Sequence, residues 1–182
     1  MTALPPVFNF ERWIDDHRED LKPPVNNKVM WREGEHFIVQ VIGGPNERTD
    51  FHIEPYEEWF YQYRGHAHVM VQTDDGVQRV DLREGDMWLL PAGMPHSPQR
   101  PDPDSIGIVL ERIREEGVDE TFRWYCFECN SPVHERTIHV TDIVKDLPPV
   151  MMEFYDNAEL RSCPQCGAAH PGRKPKADSG WG

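Results

Sequence analysis

Four side chains could hold a metal ion and leave it open to reactants: His52, Glu54, Glu58 and His96. Two neutral imidazoles and one carboxylate bind ferrous iron on one face, and the remaining positions stay free for a chelating substrate and dioxygen. His52 and His96 with one of the two acids would supply that set. A lone histidine near a turn is ordinarily a surface or hydrogen-bonded residue, and His36, His66 and His68 are read that way. Arg48 stands shortly before His52, Arg100 shortly after His96, and Glu111 follows an apolar run. Each would be an ordinary surface charge in another setting. Beside a metal, two guanidinium groups would bind a carboxylate or stabilise an oxygen anion with a fork geometry that Lys cannot copy. An inward Glu111 would need a donor on the ligand or an Arg, which suits proton management or recognition of an amine.

A second donor set is Cys126-x2-Cys129 with Cys163-x2-Cys166. This spacing is that of a tetrahedral thiolate site rather than of two disulfides. With no open position, the ion is structural if zinc and a one-electron centre if iron. Its binding energy, roughly 10 to 16 kcal/mol for such zinc sites, would fold the segment that holds it. Gly167, after the last Cys, lets the backbone turn its amides toward sulfur.

These groups need a scaffold that gathers distant strands. The chain has 182 residues, 38% of them hydrophobic, with six Trp and eight Phe, enough for one packed domain and a small appendage. Lys and Arg number 19 against 32 Asp and Glu, a formal charge of -13. That sign disfavours nucleic acid and anionic lipid as partners. No leader-like or membrane-length apolar run stands in the sequence, so a cytoplasmic address is expected. Asn9 to Leu21 carries Phe10, Trp13, Ile14 and Leu21 at helical spacing after an Asn cap. Short apolar runs then follow, bounded by turn residues: 37–42, 59–63, 68–72, 77–82, 87–90 and 106–110. They predict an all-β-dominated sandwich or barrel. The Pro-rich stretch 91–103 is read as a crossing excluded from any central strand, because Pro lacks a donor. A composition change near Val118 divides the chain into residues 1–117, a four-cysteine segment 118–172, and a mobile tail 173–182. Within the middle segment, Thr137 to Val144 reads as a strand and Met151 to Leu160 as a short helix or turn.

Gly85, Pro91, Gly93 and His96 match in full a motif of the cupin superfamily, G-x5-P-x-G-x2-H. His52 and Glu58-x6-Gly65 match its first motif in part, with Glu54 standing where a second His is usual. That replacement leaves two His and one carboxylate, His52, His96 and Glu58, and Glu54 is then read as a neighbouring polar or solvent-facing group. The fold implied is a jelly-roll, double-stranded β-helix barrel with an N-terminal helix. More specific stretches run along nearly the whole chain: Pro23-Pro24-Val25-Asn26-Asn27, Gly43-Gly44-Pro45-Asn46, Arg48-Thr49-Asp50, Glu57 to Gln62, and Pro95 to Pro101. With these the sequence resembles the 3-hydroxyanthranilate 3,4-dioxygenase family, in its bacterial type with a C-terminal rubredoxin-like knuckle pair.

The resemblance implies Fe(II) on His52, Glu58 and His96, and Fe or Zn on the four cysteines. It implies Arg48 on the dioxygen side, substrate contacts from Glu58, Arg100 and Glu111, and catalytic roles for Arg48 and Glu111. The implied reactants are O2 and the small aromatic anion 3-hydroxyanthranilate, the implied product is 2-amino-3-carboxymuconate semialdehyde, and a homodimer is expected. Two alternatives share the ligands: another metal-dependent cupin enzyme, such as a thiol dioxygenase or an isomerase, and a non-enzymatic ligand-binding cupin.

Overall fold

The computed structural model describes residues 4, 7–23, 26–31 and 36–173, with Val144 by its backbone alone. Pro24, Val25 and the tail from residue 174 onward lie outside the described residues.

Alternating apolar residues and turn-forming breaks produce two antiparallel sheets. In chain order the strands are β1 (Asn27–Val29), β2 (Phe37–Gly43), β3 (Asp50–Ile53), β4 (Glu58–Arg64), β5 (Ala67–Thr73), β6 (Gly76–Leu82), β7 (Met87–Leu90), β8 (His96–Gln99), β9 (Ile106–Arg112), β10 (Glu120–Tyr125) and β11 (Pro132–Ile138). One sheet has the order β1-β2-β9-β4-β7 and the other β11-β10-β3-β8-β5-β6. Every ladder is antiparallel, so partners opposite one another share a face. This register places Phe60, Val69, Val71 and Val109 in one buried cluster between the sheets, each such side chain stabilising the fold by about 1.5–3 kcal/mol. It also turns His52, Glu58, His96 and Glu111 inward, because they share the alternation of those apolar residues.

The N-terminal helix α1 (Phe10–Asp16) begins where expected: the Asn9 side chain accepts the Arg12 amide at 2.9 Å. It ends earlier than the apolar spacing suggested, with the His17 amide returning to Trp13 and Ile14 carbonyls, and Leu21 joins Ile14, Val41 and Ile106 in a second buried cluster through turns.

Two departures have physical reasons. The Pro-rich stretch does contribute a central strand, since β8 lies between β3 and β5. Arg100 exchanges both backbone bonds with Asn46, so by alternation the missing N–H of Pro98 faces the same side. On that side β3 pairs with β8 through the single His52–His96 position, and the ladder to β5 is untouched. Thr137 to Val144 is not one strand: β11 stops at Ile138 and helix α2 (Ile143–Asp156) follows. The Asp146 carboxylate accepts the Thr141 and Asp142 amides at 2.8 Å, which starts the helix. The sheet runs on across the composition change near Val118, β10 pairing with β3 from Thr121 opposite Ile53 to Trp124 opposite Asp50.

No helix among the described residues is long and apolar enough to cross a membrane.

Candidate active site

The strand ends of the barrel carry the site. His52 on β3 lies directly opposite His96, the first residue of β8, and Glu58 opens β4. The turn before β8 is shaped by Gly93 at φ 74°, whose amide donates to the Glu54 carbonyl at 2.7 Å. Nε2 of His96 is 3.0 Å from Glu58 Oε1, and Nδ1 of His52 is 3.6 Å from the same oxygen. Neither approach is a hydrogen bond, and Glu58 Oε1 is buried with no partner. Three lone-pair donors thus converge on one point, as ligands around a cation do.

The surroundings fix those donors. His96 Nδ1 lies 3.0 Å from the Met94 carbonyl, which holds the proton there and leaves Nε2 free to ligate. His52 Nε2 is bonded to Glu120 at 2.6 Å, and its ring stacks on Phe122 at 4.9 Å. Burial pushes the Glu58 carboxyl upward, but His96, and after it His52, facing it hold it below the usual carboxylate range. The donor set, its burial and the orphaned oxygen fit a divalent metal ion. Those three residues form a group whose ligand atoms lie within 4.8 Å of one another.

Behind the ligands lies a network that sequence reasoning missed. Arg114 forms ion pairs with Glu54, with Glu120, and with Glu111 at 2.7 Å, all of them buried. Glu111 takes a second bond from Gln40 at 2.6 Å, and Gln40 accepts from Asn27 at 2.8 Å. Burial raises the pKa of Glu111, helped by the nearby Glu58 charge, and raises that of Glu54 to about 8 against the pull of Arg114. Glu54, 1% exposed, is therefore a buried partner of Arg114 and not a solvent group. The available signal was a pair of charges three residues apart, Glu111 and Arg114, at the end of an apolar strand.

The two predicted arginines occupy different surroundings. Arg48 forks onto buried Asp50, its Nε 3.0 Å from both carboxylate oxygens, on the same strand face as His52. Arg100 lies four residues past His96, buried, and donates to Gln62 at 2.5 Å and Ser105 at 3.4 Å. Both partners are neutral, no carboxylate meets it among the described residues, and burial lowers its pKa to about 10. The structure thus gathers His52, Glu58, His96 and Glu111 directly or through Arg114, and sets Arg100 farther along the interior.

The four cysteines form a second group within 4.8 Å of one another, Cys126 Sγ standing 3.6 Å from Cys166 Sγ and Cys129 Sγ 3.6 Å from Cys163 Sγ. That separation is too long for a disulfide and suits four thiolates around one ion. The two knuckles repeat one backbone plan. Asn130 (φ 56°) and Gly167 (φ 76°) return their amides to the Cys126 and Cys163 carbonyls at 2.9 Å. The segment is tied to the residue just before β3, where Thr49 Oγ1 donates to the Gly172 carbonyl.

The two-sheet barrel, the G-x5-P-x-G-x2-H turn and an inward pair of imidazoles with one carboxylate define a metal-binding cupin. Comparison with known proteins refines the class: residues 1–155 match the family described as 3-hydroxyanthranilic acid dioxygenase. The chain belongs to that family. It is 49% identical over 171 residues to a protein of Burkholderia cenocepacia named 3-hydroxyanthranilate 3,4-dioxygenase, covering 94% of this chain and 96% of that one. A protein of the same name from Brucella anthropi is 47% identical over 183 residues, covering 100% and 98% of the two chains. Among solved structures, a cupin-2 domain protein from Shewanella frigidimarina aligns with 18% identity and TM-score 0.47, over 59% of this chain and 95% of that one.

Proposed function

We propose that this protein is an iron(II)-dependent ring-cleaving dioxygenase that converts 3-hydroxyanthranilate and O2 to 2-amino-3-carboxymuconate semialdehyde, the precursor of quinolinate in tryptophan degradation and NAD formation. The observation that carries the reading is the convergence of His52 Nδ1, His96 Nε2 and the orphaned Glu58 Oε1 inside a chain of this family. These three residues would hold the iron. Bound there, iron(II) supplies a shared coordination site for an ortho-aminophenol and dioxygen, and a path for electrons between them.

The chain's own groups account for the rest. Arg100 is a buried cation whose partners are neutral, and a substrate carboxylate would satisfy it and orient the ring. Glu111, held by Gln40 and Arg114, offers a carboxylate of raised pKa to the hydroxyl or amine proton of the substrate. Arg48, braced by Asp50, offers positive charge where negative charge grows on oxygen. Glu58 borders the substrate space as well as the metal. The bond that breaks joins the hydroxyl-bearing ring carbon to its unsubstituted neighbour. Both oxygen atoms enter the product and all four electrons come from the substrate, so no outside reductant is needed.

The four-cysteine site, holding Zn or Fe, is accordingly assigned a structural role. The ligand-bearing unit is placed in residues 1–117, the knuckle segment in 118–172 and a tail in 173–182. A homodimer working in the cytoplasm, without nucleic acid or membrane, completes the reading. The test is anaerobic addition of Fe(II) and 3-hydroxyanthranilate followed by air: the ring-opened chromophore should appear, and its absence with iron demonstrably bound would leave a non-catalytic cupin.

A further inference from the structure

Two groups of potential metal ligands meet at His52. One is His52, Glu58 and His96; the other is His52, Glu54 and Glu120, also within 4.8 Å of one another. The imidazole faces both. Its Nδ1 is 3.6 Å from Glu58, and its Nε2 is 2.6 Å from Glu120 and 3.5 Å from Glu54. Carboxylates and an imidazole in this number would hold a divalent cation at either place.

What distinguishes them is a guanidinium. Arg114 pairs with Glu54, Glu120 and Glu111, so the second group already contains a positive charge, whereas no Arg or Lys ion pair to Glu58 exists among the described residues. Arg114 is itself buried, and its planar fork reaches three separate carboxylates, which a Lys ammonium could not satisfy from one position. It also lines a cavity of about 790 Å³ with Ile38, Ile113 and Val140, so the carboxylates behind it lie one side chain away from an open space.

We propose that Arg114 is a positioning residue: its guanidinium takes the place of a cation in the second group, so that a metal ion has a single position, at His52, Glu58 and His96, toward which Glu120 keeps His52 turned. Removing the guanidinium leaves His52, Glu54 and Glu120 as a second, carboxylate-rich cation site next to the first. This rests on the metal position proposed above, and the experiment separates the two ideas.

Manganese(II) prefers carboxylate and imidazole to thiolate, so it counts the first two groups without displacing the ion of the four cysteines. The full-length chain is titrated with manganese(II) and the free ion is followed by EPR. The unaltered protein should bind one equivalent, Arg114→Met two, with a spin-coupled spectrum from neighbouring ions, and Arg114→Lys, which keeps a cation in place, one. If Arg114→Met is unfolded when isolated, producing it in manganese-supplemented medium should restore folded protein. A single equivalent on folded Arg114→Met, or no rescue by manganese, overturns the inference while leaving the metal position intact. No binding to the unaltered chain overturns both.

Discussion

Arg100 lies flat against the backbone of Gly107, so close that a methyl group at residue 107 would take the space of the guanidinium. Gly107 and Glu111 share the inward face of β9, so the glycine makes room for a buried cation in the same interior. Gly107→Ala should displace Arg100 and raise the KM for 3-hydroxyanthranilate by about tenfold or more, with iron content unchanged. Overpacking should cost about 1–3 kcal/mol of stability. Steady-state kinetics beside a urea titration check both; an unchanged KM would separate Arg100 from substrate binding.

Arg100→Met removes the cation and keeps much of its volume. A charge-assisted hydrogen bond contributes about 1.5–3 kcal/mol, so KM should rise about 10- to 150-fold. Activity on 2-aminophenol, which lacks the carboxylate, should stay nearly level. An equal loss on both compounds would show that Arg100 acts through packing.

His96→Ala should abolish turnover by removing one of three donors to the metal. Metal analysis should show catalytic iron falling to background while the four-cysteine ion remains at one per chain. Retention of iron with lost activity would assign His96 a role other than ligation.

Cys163→Ser, or selective removal of the knuckle metal, should unfold the C-terminal segment. The buried cluster of Phe122, Trp124, Val140, Val150 and Phe154 joins that segment to β10, so the thermal midpoint should fall sharply. Turnover per remaining folded molecule should be unchanged. A lower intrinsic rate with fold intact would give the second metal more than a structural role.

His170 is buried, stacked on Phe127 and edge-on to Phe154, and accepts the Gly172 amide on Nδ1 at 3.0 Å. Burial, with the charge of Arg161, lowers its pKa from 6.5 to about 4. Above pH 6.5 the ring is neutral in both folded and unfolded chains and contributes no pH dependence. Between 6.5 and 4 the unfolded chain takes a proton that the folded one refuses, so stability is lost as the pH is lowered, by at most about 3.4 kcal/mol. Urea midpoints measured from pH 7.5 down to pH 4.5 should fall less steeply for His170→Gln than for the unaltered chain.

Much of this protein could be read along the chain because local chemistry announces itself locally. Six strands followed from apolar runs between turn residues, the helix start from Asn9, and the thiolate site from two C-x2-C pairs whose ligands lie within one turn of each other. The grouping of His52, Glu58 and His96 was legible because their motifs carry Gly and Pro at fixed offsets, which dictate the turn before His96. What could not be read depended on which distant residues share an interior. Pro98 sits in a central strand because its missing donor faces a ladder one pair long, a fact of pairing that propensity does not contain. Glu120 and Arg114 belong to no motif, and each became part of the site only when β10 docked beside β3 and the end of β9 delivered a guanidinium among four buried carboxylates. Covalent neighbours decide a turn or a knuckle, whereas the compensation of buried charge is decided between segments far apart in sequence, and only the folded chain brings those charges within reach of one another.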